Sequence, residues 1–333
     1  MTEIFAFGLG LARYSARGAM LDCFFPQPVL QPRGEVLQAI AELPAGTSNI
    51  NADQAQAIDQ AVGGGIAGTT FADATRKLVA VRLDTDAAIA DTAEAYLKLH
   101  LLSHRLCLPN SLNLDGIFAH LPNVAWTSVG PIAIEELPEA ITKAHLNHQQ
   151  LEVFAVDKFP KMVNYVVPTG VRIADASRIR LGAYLGDGTT VMHEGFVNFN
   201  AGALGPNMVE GRISQGVTLG SGSDLGGSAS TMGTLSGGGN INISIGENCL
   251  IGANAGTGIP LGDRCTIEAG LYITAGMGIS LVDEFGEVMS TVKARELAGK
   301  SDMLFIRDSQ NGNIVCRTNR KAIELNDQLH QHN

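Results

Sequence analysis

"RIADASRIRLGAYLGDGTTVMHEGFVNFNAG", residues 172–202, places Ile173, Ile179, Leu185, Val191 and Val197 at intervals of six. A helix brings the same face round every 3.6 residues and a strand every two, so neither needs this spacing. One short strand plus one tight corner does. Three such units close a triangular coil, in which each aliphatic points inward and stacks on its counterpart about 18 residues further along. The fourth residue after each aliphatic is small (Ser177, Ala183, Thr189, Gly195, Ala201), as a crowded corner requires. The spacing predicts a parallel β-helix. Coils of this hexapeptide kind are left-handed, an exception to the usual right-handed crossover.

The period slips through "ALGPNM" (203–208) and resumes at Ile213, Leu219 and Leu225. It breaks at "TLSGGGN" (234–240), returns at Ile245 and Ile251, slips through "TGIP" (257–260), and runs on through Leu261, Ile267, Ile273 and Ile279. A solenoid must keep its coils in phase, so "ALGPNMVEGR" and "TLSGGGN" are expected to be extruded as loops, and loops on a rigid scaffold are where sites are built.

Three regions follow. Residues 1–165 read as an α/β N-terminal domain, with helices at "GEVLQAIAEL", "NADQAQAIDQAVGG", "DTAEAYLKLHLLSHRL" and "IEELPEAITKAHLNHQQL" and strands at "KLVAVRL" and "LEVFAVDKF". Residues 166–280 form the β-helix. Residues 281–333 are expected to cap its open end with a strand, a hairpin signalled by "QNGN" and a final helix.

Composition limits the partners. A net charge of −10 argues against nucleic acid and anionic membranes. Five widely spaced cysteines with no CxxC fit free thiols in a reducing cytoplasm, and the N-terminal apolar run lacks the charge order of a signal peptide. No run of 18 apolar residues is present.

Few titratable groups lie within the repeats. Glu210, in "NMVEGRIS", stands next to the first expected loop and two residues before Arg212. A carboxylate there can take a proton or act as nucleophile toward a substrate held by the neighbouring cation, and a plain Glu210–Arg212 surface pair is the alternative. Arg178, Arg180, Arg212, Lys293, Arg295, Lys300 and Arg307 gather in the half of the chain that carries the loops. They suit a dianionic substrate and a phosphorylated carrier.

"VMHEGFVNFNAG", "EGRISQGVTLGSGSDLGGSASTMGTLSGGG", "IGANAGTGIPLGD" and "EAGLYITAG" closely resemble the bacterial tetrahydrodipicolinate N-succinyltransferases, in the form found in pseudomonads and actinobacteria. "AEAYLKLHLLSHRL", "LPNVAWT", "EVFAVDKFPKM" and "VKARELAG" extend the resemblance from about residue 90 to the end. The resemblance implies a homotrimer of left-handed β-helices with active sites between subunits. It also implies transfer of succinyl from succinyl-CoA to the amino group of the ring-opened, hydrated substrate, in lysine and diaminopimelate biosynthesis. The family's catalytic glutamate falls on Glu210, as former of an acyl-anhydride or as general base; chemistry favours the base, because amine attack needs only deprotonation and a stabilised oxyanion. The acyl-CoA contacts fall on Arg212, Gly227, Ser230, Ala253, Glu268, Ala269, Gly276, Lys293 and the segment Ile306, Arg307, Asp308, Ser309. In actinobacterial members two acids hold a magnesium on the trimer axis. They match Glu194 and Ser177 here, and serine is a poor replacement for an anionic ligand.

The nearest rival is a hexapeptide acetyl-CoA transferase with His193 as base. A carbonic-anhydrase-like β-helix needs several histidines per site, and residues 171–279 hold one. A structural or ice-binding β-helix would carry a flat ladder of identical outward residues, which is not seen.

Overall fold

In the computed structural model, which describes residues 4–68, 75–238 and 241–318, the period of six becomes a three-sided parallel coil. The first face stacks Ile173, Val191, Val209, Leu225, Ile251 and Ile267. The second stacks Ile179, Val197, Ile213, Thr231, Thr257 and Ile273. The third stacks Leu185, Ala203, Leu219, Ile245 and Leu261. These side chains are buried inside the coil, Ile173 at its open end excepted, and so are the corner residues Ala183, Ala201, Ser223, Ala229, Cys249 and Cys265. All five cysteines are free and buried.

One expected loop is absent. "ALGPNM" stays in the coil: Ala203 and Val209 are both fully buried at consecutive inward stations. Asn207 holds it there, accepting the Gly205 N–H at 2.6 Å and donating to the carbonyls of Gly220 and Ser223 at 2.7 Å each. The slip is instead a short corner, with four residues from Val209 to Ile213 where most corners take six. "TGIP" makes a second short corner, from Thr257 to Leu261. There the Thr257 hydroxyl points inward, accepts the Ile259 N–H at 3.1 Å and donates to the Ile259 carbonyl at 2.7 Å. The insertion after Thr231 does leave the coil. It folds back with Leu235 N–H on the Ile241 carbonyl and is tied down by Ser236, whose N–H reaches Gly258 O and whose Oγ accepts from Ala275 N–H.

Beyond the last coil, strands Met303–Arg307 and Ile314–Thr318 form the hairpin foreseen at "QNGN". Leu304 and Phe305 extend the first face by pairing with Thr266 and Ile267. Strand Val288–Lys293 pairs antiparallel with Gly278–Val282. The final helix expected in the tail lies outside the described residues.

The chain separates into two units, and residues 108–110 and 161–163 group with the β-helix. The other unit holds a sheet ordered β2-β1-β5-β4, built from β1 (Ala6–Tyr14), β2 (Met20–Phe24), β3 (Val29–Leu30, beside β1), β4 (Gly46–Asn49) and β5 (Arg76–Leu83). Period two decides its faces. Phe7 and Leu9 join Ile40 of α1 (Gly34–Ile40) and Ile58 of α2 (Ala52–Val62) in one core. On the opposite face Gly8 and Gly10 leave room for Phe25 and for Leu97 of α3 (Thr92–Ser103): a β-carbon on Gly8 would stand 2.5 Å from Phe25 and 2.8 Å from Leu97. Strand β1 is not foretold by the sequence reading. Asp91 and Asn51 cap α3 and α2 by accepting N–H bonds from Glu94 and Gln54. A short α4 (Ile117–His120) leads to a second sheet, ordered β7-β6-β8, of β6 (Val124–Thr127), β7 (Gly130–Ala133) and β8 (Val153–Asp157), with α5 (Leu137–Leu146) between β7 and β8. Trp126 is buried, its indole N–H on the Asp157 carbonyl. Among the described residues no helix is long and apolar enough to cross a membrane.

Candidate active site

The edge where the first face turns into the second collects most of the residues singled out above. The residue following each inward residue of the first face occupies an equivalent station, filled in turn by Met192, Glu210, Gly226, Gly252 and Glu268. One station further on come His193, Gly227, Ala253 and Ala269. The edge is kept low by its own backbone: Asn254 N–H bonds the Gly227 carbonyl and Gly270 N–H the Ala253 carbonyl, each at 2.8 Å. Tight turning puts Ser228, Asn254 and Gly270 in the left-handed region, at φ 57°, 55° and 74°. The outcome is a track of bare backbone and methyl groups, bounded by glutamates at two coils.

Glu210 sits on the short corner. Its carboxylate is half-buried and, among the described residues, accepts no hydrogen bond and joins no ion pair. It leans over the track, where a β-carbon on Gly227 would stand 3.6 Å from Oε2. The short corner brings Arg212 onto the second face immediately afterwards, outward and exposed, paired in register with Ser230. The surface ion pair between Glu210 and Arg212 that the sequence allows is not formed. Both groups are therefore available to a ligand.

Glu268 is committed differently. Its Oε2 accepts the backbone N–H of Arg307 at 2.8 Å, while its own N–H bonds the Phe305 carbonyl, so it anchors the segment 306–309 to the last coil. Asp308 holds the hairpin turn by accepting from Gln310 N–H and the Asn311 side chain, which leaves Ser309 exposed at the tip. Gly276 and Lys293 lie apart from this edge, beyond Ile273 at the far side of the second face. There Ala294 N–H bonds Met277 O, and nothing stands within 4 Å of a β-carbon built on Gly276.

The groups considered for a metal or a rival base are on the first coils of the same edge. His193 and Glu194 are exposed. Glu194 Oε2 accepts the Ser228 hydroxyl at 2.7 Å, and Ser177 donates its hydroxyl to Asp175 at 2.6 Å, which helps hold that carboxyl below its usual range. Ser228 escapes a sequence reading because a serine at a corner is ordinary there.

Comparison with known proteins bears on the whole chain. A protein of Pseudomonas aeruginosa named 2,3,4,5-tetrahydropyridine-2,6-dicarboxylate N-succinyltransferase is 56% identical over 343 residues, covering 99% of each chain. The chain belongs to the tetrahydrodipicolinate N-succinyltransferase family. A Vibrio cholerae member is 52% identical over 99% of each chain. Residues 242–275 match the profile of the hexapeptide repeat of succinyl-transferase, and residues 121–161, which hold β6 to β8, match that of the tetrahydrodipicolinate N-succinyltransferase middle. A crystal structure from Campylobacter jejuni, named for N-succinyl transfer to 2,3,4,5-tetrahydropyridine-2-carboxylate, superposes with a TM-score of 0.85 at 30% identity, over 97% of this chain and 94% of that one. Family likeness therefore reaches residues 1–90, where the sequence reading found little to compare.

Proposed function

We propose that this protein is a tetrahydrodipicolinate N-succinyltransferase, moving succinyl from succinyl-CoA to the amino group of the ring-opened, hydrated acceptor and yielding N-succinyl-2-amino-6-oxopimelate and CoA. Full-length identity of 56% to a relative of that name carries the reading. The geometry supports it, since Glu210 is uncommitted beside a low track and next to an uncommitted Arg212.

Succinyl-CoA is the co-substrate. Its pantetheine arm lies along Gly227, Ala253 and Ala269, where small residues let an extended chain approach backbone groups closely. The segment Ile306–Ser309, moored by Glu268, closes the far end of the track. Lys293, beside the open surface of Gly276, receives a phosphate of the CoA as a point charge.

The acceptor's amine attacks the thioester carbonyl carbon. Glu210 takes the proton shed by nitrogen, the C–S bond breaks, and that proton neutralises the departing CoA thiolate. Arg212 and the hydroxyl of Ser230 hold carboxylate oxygens of the substrates on the adjoining face.

The division at 1–165, 166–280 and 281–333, the left-handed coil and the capping role of the tail belong to the same reading. So does a homotrimer of about three times the 35.0 kDa chain mass with sites between subunits, because the track is an external surface of one coil. Within one chain Glu194 offers a single carboxylate and Ser177 a neutral hydroxyl already engaged with Asp175. A magnesium ion there requires Glu194 from several protomers, and no step of the transfer runs through it. The test is thiol release from succinyl-CoA in the presence and absence of tetrahydrodipicolinate, with sedimentation of the active species. Continuous release over many turnovers that does not depend on the acceptor refutes the proposal.

A further inference from the structure

On the second face, parallel register sets Arg212, Ser230, Gly256 and Tyr272 outward in one row, one residue per coil. Neighbouring strands lie about 4.8 Å apart, so the row spans roughly 14 Å from Arg212 to Tyr272. Tyr272 does not stand straight out from its own strand. It leans back by one coil and fills the space a side chain at 256 would need: a β-carbon on Gly256 would lie 2.2 Å from Cε2 and 2.6 Å from Cδ2 of the ring. The same point is 2.6 Å from the Ser230 carbonyl oxygen, which puts the ring edge within about 5 Å of that oxygen. Glycine at 256 is therefore a condition for the position of the ring. The ring is half-buried, one side on the coil and the other open.

The row makes a short trough. Its near end is the exposed cation of Arg212, which joins no ion pair among the described residues. Its floor is Ser230, and its far end is an aromatic wall over Gly256. The open length is between one and two strand spacings, about 5–10 Å. The carboxylate of Glu210 stands at the corner that opens onto Arg212, over Gly227.

We propose that Tyr272 is a specificity-determining residue for the acyl donor, its ring forming the end wall of the trough into which the acyl chain runs from Glu210 past Arg212. This rests on the succinyl-transfer reading above. With the thioester carbonyl at Glu210, a succinyl group extends its terminal carboxylate three C–C bonds further, about 4 Å, which one strand spacing accommodates. Each added methylene pushes that carboxylate toward the ring. An acyl group without a carboxylate forgoes the contact with Arg212, which disfavours acetyl.

The experiment compares kcat/KM for acetyl-, succinyl- and glutaryl-CoA with tetrahydrodipicolinate in the wild type, Tyr272→Ala and Tyr272→Phe. Tyr272→Ala is expected to raise the ratio of glutaryl to succinyl transfer at least tenfold. Tyr272→Phe is expected to keep it within twofold, because the wall is the ring and not the hydroxyl. Tyr272→Leu keeps apolar cover over Gly256 but shortens the wall, and should raise the ratio by a smaller factor, so a folding defect in the alanine variant does not decide the matter. An unchanged ratio in a folded Tyr272→Ala or Tyr272→Leu overturns the wall. A wild type that transfers no succinyl at all overturns the underlying reading instead, and the two failures are thus told apart.

Discussion

Glu268 Oε2 accepts the backbone N–H of Arg307 at 2.8 Å, joining the last coil of the helix to the strand that follows it 39 residues later. On the proposed function, a carboxylate at the carrier end of the track repels the anionic ligand it borders, so its use is to set the position of segment 306–309. Glu268→Gln keeps an acceptor for that N–H and is expected to leave the KM for succinyl-CoA within about threefold. Glu268→Ala removes it, and KM should rise about tenfold, equivalent to roughly 1.4 kcal/mol and at the upper end of the range for the net contribution of one hydrogen bond. The value of kcat should change little in both. Steady-state kinetics with succinyl-CoA as the varied substrate separates the two variants.

Lys293 is exposed and lies beside the open surface of Gly276. Lys293→Ala is expected to raise the KM for succinyl-CoA by several-fold, and added salt should reproduce the effect in the wild type by screening, since the Debye length falls to about 3 Å at 1 M. Arg212→Ala should weaken binding of an anionic substrate and be less sensitive to salt, because its carboxylate contact is close and directional. An unchanged KM for succinyl-CoA in Lys293→Ala would remove that residue from the site.

Both short corners show which parts of the fold the sequence exposes. Large aliphatic residues mark the first face throughout and the third everywhere but Ala203. On the second face Thr231 and Thr257 replace aliphatics at inward stations, so the aliphatic period lapses where the coil continues. Each threonine is used: Thr231 Oγ1 donates to the Arg212 carbonyl, and Thr257 Oγ1 serves both backbone groups of Ile259. The error over "ALGPNM" has the same root. Ala203 is too small to register as an inward residue, and the clamp made by Asn207 is a tertiary feature with no local signature. Glu210 was singled out for its place beside an expected loop; the loop is not formed, but the interruption of the period that suggested it is the short corner on which Glu210 sits. The Tyr272–Gly256 contact was not, because nothing in "EAGLYITAG" tells which way the ring leans.

Thr257→Val preserves shape and removes both hydrogen bonds to Ile259. The Ile259 N–H and carbonyl are then buried without that partner, a cost of about 1–3 kcal/mol. The denaturant midpoint of the β-helix transition should fall accordingly, with the slope unchanged. Thr257→Ser keeps the hydroxyl and should recover most of the loss.

His100 is fully buried in α3, and burial lowers its pKa to about 3. Its Nδ1–H donates to the Tyr96 carbonyl at 2.7 Å and Nε2 accepts the Phe25 N–H at 3.3 Å, an arrangement that requires the neutral ring. The unfolded chain takes up a proton near pH 6.5 that the folded one refuses until about pH 3. Stability is therefore fully present above pH 6.5 and falls as the pH drops toward 3, by up to about 1.4 kcal/mol per unit for this group. His104, lowered by burial as well, adds in the same direction. Urea unfolding followed through Trp126, the single tryptophan and a residue of the same unit, should show a steeper loss from pH 7 to 5 in the wild type than in His100→Gln. Equal slopes would mean that His100 is not held neutral.

The test with most at stake concerns Glu210. Its carboxylate is half-buried, takes no hydrogen bond among the described residues and overhangs Gly227 at 3.6 Å from where a β-carbon would sit. Glu210→Gln keeps the shape and removes the charge and the capacity to take a proton. The expected loss in kcat is about 10²–10⁴-fold, the range for general acid–base catalysis. Binding of succinyl-CoA should be little altered, because a carboxylate does not attract an anionic carrier. Two roles then separate in the wild type. If Glu210 attacked the thioester, forming an anhydride and expelling CoA, enzyme and succinyl-CoA alone would release one equivalent of thiol in a burst, and hydroxylamine would trap the succinylated Glu210. If it removes the amine proton, no thiol appears until the acceptor is added. The second result is expected, since no covalent step is needed to move the proton. A Glu210→Gln enzyme that keeps more than about a tenth of wild-type kcat, a smaller loss than either role allows, would exclude both and direct attention to the exposed His193 on the preceding coil.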